Sequence, residues 1–437
     1  MRVMTARRPE VLLLAALLAL AIVAALRGIE PPPAPMAGGS LAAPATLGDP
    51  RTIARLQERL RRAPNDVDAA ASLGLAYLQR ARETGDQGLY GQAEQALEVA
   101  LAGNPQHLDA LVGRGALALA RHQFGEALEW GERARAVAPQ RAVVYGVLTD
   151  AYVELGRYEE AVAAAQQMID IRPDRDSYSR VAYLRELHGD VAGAIAAMEL
   201  AVDAGAPGTE GTAWSYVQLG NLALGQGNVA RAEEAYRAAL VEWPGYAHAE
   251  AGLARVAVAR GDDARAAARY ATALERLPLP EFAIALGELY AHMGRPTDAE
   301  RQYELVRAMQ QLNAAAGVDV DMELALFDAD HGDDPAGTVA RARAAYLARP
   351  SIYAADALAW ALYRAGQGEE AARYSAEALR LGTRDPALRL RAGLIATAAG
   401  ETVAAREHLE LALTGAPALS PLRVAEGRAA LERLAHR

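Results

Sequence analysis

The sequence predicts an all-α chain in which about ten helix-turn-helix units of one kind stack into a superhelix, an α-solenoid. Three observations carry this expectation. The chain is 52% hydrophobic but only 5% aromatic, and much of its apolar content is alanine, the strongest helix former and small enough for close helix contact. Landmarks recur at a fixed interval: Pro105, Pro139 and Pro173 lie 34 apart, as do Pro244 and Pro278, Ala127 and Ala161, Ala232 and Ala266, and Ala371 and Ala405. A fixed period between about 20 and 50 residues is the signature of a stacked array. Glycines, finally, fall at set places inside that period, where helices meet or end.

The first element stands apart from the repeats. Arg2, Arg7 and Arg8 precede an unbroken apolar run from Val11 to Leu26, followed by Arg27, Glu30 and a proline-rich stretch through Pro50. A run of this kind is a targeting segment, intermediate between a signal-peptide core and a full span of ~20 residues. Residues 1–26 are therefore expected to be a signal or anchor, with 27–50 a linker and 51–437 the solenoid. Arginines ahead of the run stay cytoplasmic, which places the remainder outside, either membrane-tethered or secreted after cleavage. Contact with the membrane is expected through residues 11–26 only.

A half-unit, Thr52 to Pro64, opens the array, and the clearest full unit runs from Trp214 to Pro244. In its first helix, Tyr216, Leu219, Gly220 and Ala223 lie at helical spacing. Gly227 supplies a left-handed turn, Ala232, Tyr236 and Ala239 form the second helix, and Pro244 ends it. Gly220 lets the two helices approach closely. The same frame fits Leu73, Gly74, Tyr77, Ala93 and Ala100, then Gly115, Ala127 and Ala134, and recurs to Gly393, Gly400, Ala405 and Pro417. Ten units fit between Asp66 and Pro417.

These residues resemble the tetratricopeptide repeat, whose pattern places large apolar, Leu, Gly and Tyr positions in helix A, Ala and an aromatic in helix B, and a closing Pro. Two units depart from it. The first carries about seven extra residues between Tyr77 and Ala93, and the eighth, Val318 to Pro350, has a blurred turn. A charged final helix, Pro421 to Leu434, is expected to cover the last apolar face, as a solenoid requires.

Chemistry is sparse in this sequence. The net charge of −10 argues against a nucleic-acid partner, which needs a clustered basic stripe. All 45 basic residues are arginine, a bias of GC-rich coding sequence that points to a bacterial source. The absence of cysteine excludes disulfides, thiolate zinc sites and a lipid-modified cysteine. The eight histidines lack metal-ligand spacing, the glycines sit at repeat positions rather than in a phosphate loop, and no serine lies in a nucleophile elbow. No catalytic residue, cofactor or metal is expected. The acidic run Asp319, Asp321, Glu323, Asp328, Asp330, Asp333 and Asp334 lacks the closing glutamate of a calcium loop and reads as a solvated helix end and turn.

The resemblance implies that the superhelix is right-handed and that helix A of each unit lines its inner face. Its inward positions are Asp150, Glu154, Tyr183, Glu186, Trp214, Asn221, His248, Arg255, Glu288, His292, Tyr353, Trp360 and Tyr363. Large rigid rings beside directional polar groups suit a peptide-binding groove. Only Asn221 and Arg255 approach the arrangement by which some family members clamp a carboxylate, so no clamp is expected. The function expected is a non-catalytic scaffold or adaptor that binds a peptide or protein. One alternative is an accessory subunit of an envelope assembly, transport or cytochrome-maturation complex, and another is a carbohydrate-binding protein or enzyme using the groove residues.

Overall fold

The computed structural model describes residues 47–436 apart from 316, 319 and 320. The apolar run 11–26 and linker residues 27–46 lie outside the described residues, as do Asp319 and the side chains of Asp321 and Glu323. Among the described residues no helix is long and apolar enough to cross a membrane.

Helix α1 (Pro50–Arg62) precedes ten helix pairs. These are α2 (Val67–Thr84) with α3 (Gly88–Gly103), α4 (Leu108–Ala120) with α5 (Phe124–Val137), α6 (Ala142–Glu154) with α7 (Tyr158–Ile171), α8 (Arg175–Leu187) with α9 (Val191–Asp203), and α10 (Glu210–Gly225) with α11 (Val229–Glu242). The series continues with α12 (Ala247–Ala259) and α13 (Asp263–Arg276), α14 (Pro280–His292) and α15 (Pro296–Ala315), α16 (Asp321–His331) and α17 (Pro335–Ala348), α18 (Ile352–Arg364) and α19 (Gly368–Ala378), and α20 (Pro386–Ala399) and α21 (Thr402–Thr414). Helix α22 (Pro421–Ala435) follows. Each helix packs on the next, α15 meeting α16 through the Tyr303 and Phe327 rings, so the architecture is an all-α solenoid.

Local chemistry sets the helix ends. Asp66, Asp190, Thr209, Asn228, Asp262, Asp334, Ser351 and Ser420 cap their helices by accepting a backbone N–H of the first turn. Asp174 and Ser177 close a reciprocal capping box. Within the unit picked from sequence, Gly227 has φ 73° and the next residue's N–H returns to the Ala223 carbonyl at 2.9 Å, which ends α10 in a left-handed turn. The second unit makes this turn without glycine: His122 takes φ 58°. The eighth has no left-handed residue at its turn; there the Gly332 N–H bonds the Asp328 carbonyl at 2.8 Å. The extra residues of the first unit lengthen α2 and α3 rather than looping out.

Close packing of pairs follows from missing side chains. Tyr236 is fully buried, and a Cβ at Gly220 on α10 or at Gly252 on α12 would stand 2.5 Å from its ring. The ring is therefore held between two glycines of consecutive units. Gly287 serves Tyr303 in the same way.

A second order of contact joins units far apart in sequence. The turn of unit three meets the loop after unit eight, where a Cβ on Gly156 would lie 2.3 Å from the Pro350 carbonyl oxygen. Gly189 of unit four likewise faces the Gly382 carbonyl, Gly227 of unit five faces Thr414, and Gly85 of unit one faces Leu277. In every case the turn of one unit touches the loop that follows the unit five further on. The superhelix thus winds into two turns in contact along a seam. Tyr158 spans that seam, its hydroxyl accepting from the Ile352 N–H at 2.8 Å.

Candidate functional site

Inside the first superhelical turn lies a cavity of about 1580 Å³. Most of its wall comes from the A helices of six consecutive units, α2, α4, α6, α8, α10 and α12, with Tyr90, Met168, Ile171 and Met198 added from the B helices. Six of the residues expected on the inner face line it: Asp150, Glu154, Tyr183, Glu186, Trp214 and His248. Tyr353 reaches the same region from the second turn, hydrogen-bonded to Tyr183.

Ionisable groups around the cavity hold one another. Arg180 grips Asp150 in a two-pronged pair, Nη2 to Oδ2 at 2.6 Å and Nε to Oδ1 at 2.8 Å. Arg82 bonds Glu210, which also accepts from the Tyr246 hydroxyl at 2.7 Å. Arg82 sits on the lengthened part of α2, and that extension is what lets unit one reach unit five. Glu154 lies 3.9 Å from Arg349 of the second turn. Burial, reinforced by the Asp385 carboxylate, pushes the Glu186 carboxyl up to about 7. Burial lowers His248 from its usual value, leaving a neutral ring edge-on to Tyr246 and Phe282 at 5.3 and 5.4 Å. Burial also raises the Tyr183 and Tyr353 phenols.

The other expected inner-face residues are placed elsewhere. The Asn221 carbonyl oxygen accepts from the Tyr236 hydroxyl at 2.9 Å and from Arg255 Nη2 at 2.6 Å; this pair brackets two units and is outside the cavity lining. His292 is exposed, 3.7 Å from Asp263. Trp360 departs furthest from the expectation of a groove residue: it is 1% exposed, its Nε1 donates to Asp330 at 3.0 Å, and Tyr363 stacks on it. Glu288 shares that second-turn interior. Within the acidic run, Asp333 and Asp334 are exposed at the turn, where Asp334 caps α17, whereas Asp328 and Asp330 are half-buried and pair with Arg341 and Arg423. Among the described residues no group of three or more acidic or histidine side chains is placed to hold a metal ion.

Sequence reasoning missed Arg82, Arg175, Arg180, Glu210 and Tyr246 in the cavity wall. Arg180 stands one helical turn before Tyr183, so the same periodicity could have found it. Arg82 and Glu210 carry no such signal, since their meeting depends on the winding of the superhelix.

A tetratricopeptide-repeat family model matches residues 118–186, and a second matches residues 78–142, 217–279 and 252–314. No curated protein matches the chain. Among solved structures, a human IFIT1 dimer with PPP-AAAA is similar at 14% identity over 76% of this chain and 78% of that one, with a TM-score of 0.48. The APC/C hetero-tetramer Cut9-Hcn1 aligns at 14% identity over 88% and 92% of the two chains, TM-score 0.38. A tetratricopeptide repeat protein from Parabacteroides merdae aligns at 16% over 56% and 96%, TM-score 0.40. The repeat residues, the helix pairs and the matching family models agree that this chain is built of tetratricopeptide repeats.

Proposed function

We propose that this protein is a non-catalytic scaffold that holds a peptide segment of a partner protein in the cavity of its first superhelical turn. The observation that supports this reading most is the size and lining of that cavity. At about 1580 Å³ it exceeds the range of small-molecule sites, roughly 300 to 1,000 Å³, and it offers Trp214, Tyr183 and Tyr246 as rigid rings beside paired polar groups. Five arginines and six carboxylates line it, so the chain's net negative charge is not concentrated there and a segment of low net charge fits best.

We also read the chain as exported and membrane-tethered. The support is the arginine-flanked apolar run 11–26 and the proline-rich linker, which would hold the array outside the membrane with its cavity free to engage a partner.

Selection of a displayed random-peptide library against the full chain tests the binding reading. Peptides enriched on the parent protein should lose at least tenfold in affinity for Trp214→Ala and keep it for His292→Ala, whose side chain is exposed and outside the cavity lining. Enrichment indifferent to Trp214→Ala refutes the cavity as the site.

A further inference from the structure

Among the described residues, one carboxylate lining the first-turn cavity has no partner. Six carboxylates line that space. Asp150 is gripped by Arg180, Asp174 by Arg172, Asp176 by Arg175 and Glu210 by Arg82, while Glu154 faces Arg349. The sixth is Glu186, in the last turn of α8. Its side chain makes no hydrogen bond or ion pair with another described residue, although it lies deep in the wall and borders the cavity. Arg141, the remaining lining arginine, is exposed at the N-cap of α6. That is the other end of the A helices, roughly 16 Å along the axis from the last turn of α8. Buried charges are ordinarily paired, and the cavity's own residues leave this one unpaired.

The surroundings of Glu186 select a cation. Tyr183 stands one turn earlier on α8, and Tyr353 of α18 hydrogen-bonds to it from the second superhelical turn. The Glu186 carboxylate acts on both phenols. Asp385, a second acid here, accepts the Ala387 and Leu388 N–H groups at 2.8 and 2.9 Å as the N-cap of α20, and its negative charge reaches Glu186. Burial and that neighbour, with no cation opposing them, push the Glu186 carboxyl up to about 7; a cation seated beside it reverses the direction. A carboxylate next to phenol rings, screened from bulk water, suits an ammonium or guanidinium, which the rings and the acid both attract. We infer that Glu186 sets the specificity of the first-turn cavity by pairing with a lysine or arginine side chain of the bound segment. The inference rests on the peptide-holding reading of that cavity and adds the side chain such a peptide must carry.

Two measurements on the full chain test it. The first titrates the parent and Glu186→Gln with N-acetylargininamide and N-acetylglutaminamide, single residues blocked at both ends, followed by ligand-observed nuclear magnetic resonance. The parent should prefer the arginine derivative at least fivefold, and Glu186→Gln, which keeps the side chain's shape, should lose that preference. Equal preference in the two proteins, or none in the parent, overturns the inference whether or not any peptide binds. The second takes library peptides whose binding depends on Trp214, synthesised with acetylated N-termini so that no terminal amine competes for the acid. They should share a lysine or arginine at one position. Its replacement by glutamine should weaken binding to the parent at least tenfold and to Glu186→Gln less than twofold. Trp214-dependent peptides without a shared basic position overturn the inference and leave the peptide-holding reading standing. If no Trp214-dependent peptide is enriched, that reading fails by itself, and the blocked arginine still decides the role of Glu186.

Discussion

Substituting Gly220 by alanine separates helix propensity from packing. In an open helix position the change is favourable by ~0.5 to 1 kcal/mol, because glycine loses more backbone freedom on folding. At Gly220 the added Cβ would lie 2.5, 2.7 and 2.9 Å from three carbons of the Tyr236 ring. That ring is fully buried and Gly252 confines its other side, so about 1 Å of relief must come from moving α10 against α11. Overpacking of this kind costs ~1 to 3 kcal/mol, here toward the upper end, and the propensity gain offsets about 1 of it. The net expectation is a loss of about 1 to 2 kcal/mol, a factor of roughly 5 to 30 in local opening. Because each unit of a solenoid touches mainly its neighbours, hydrogen exchange should accelerate by that factor in α10 to α12 and much less in α4 and α5. Gly125→Ala, in α5 with nothing near its Cβ, should slow exchange locally. Protection at α10 equal to or above that of the parent in Gly220→Ala would refute the packing argument and the assigned register.

The raised Glu186 carboxyl makes stability depend on pH. Its folded-state value, about 7, lies above its ordinary 4.5, so the stability it contributes is fully present below about 4.5 and is lost as the pH rises through about 7. Histidines lowered by burial, such as His248 and His331, change stability in the opposite sense, so the readout is a difference: between pH 5 and 8 the melting temperature of the parent should fall relative to Glu186→Gln, and parallel curves would refute the reading. At the seam, Tyr158→Phe removes the acceptor of the buried Ile352 N–H and should cost ~1 to 3 kcal/mol. Exchange at residues 351–354 should then accelerate, a response 194 positions away in sequence; unchanged exchange there would mean the two turns are not joined through this residue.

Much of the fold was legible because a repeat encodes its own neighbours. The 34-residue interval fixed the ten helix pairs, Gly227 announced a left-handed turn, Gly220 a close approach to Tyr236, and Pro244 the end of α11, each through local backbone preference or the absence of a side chain. The His122 turn escaped notice because a histidine in left-handed backbone leaves no distinctive residue type behind. The inner-face positions were legible as a list and not as a site. Asp150, Glu154, Tyr183, Glu186, Trp214 and His248 share one cavity, whereas Trp360, on the same kind of position, is sealed against Asp330 beneath α22.

What divides these two groups is the pitch of the superhelix. It accumulates from small rotations between units, none of which a single unit's residues record. The sequence by itself determined the helices, their caps and the contacts of each pair with the next. Only the tertiary structure decided that turns meet loops five units on, that Arg82 reaches Glu210, and that α22 packs over Trp360 while the first superhelical turn keeps a cavity, because those contacts join residues that share no repeat and no period.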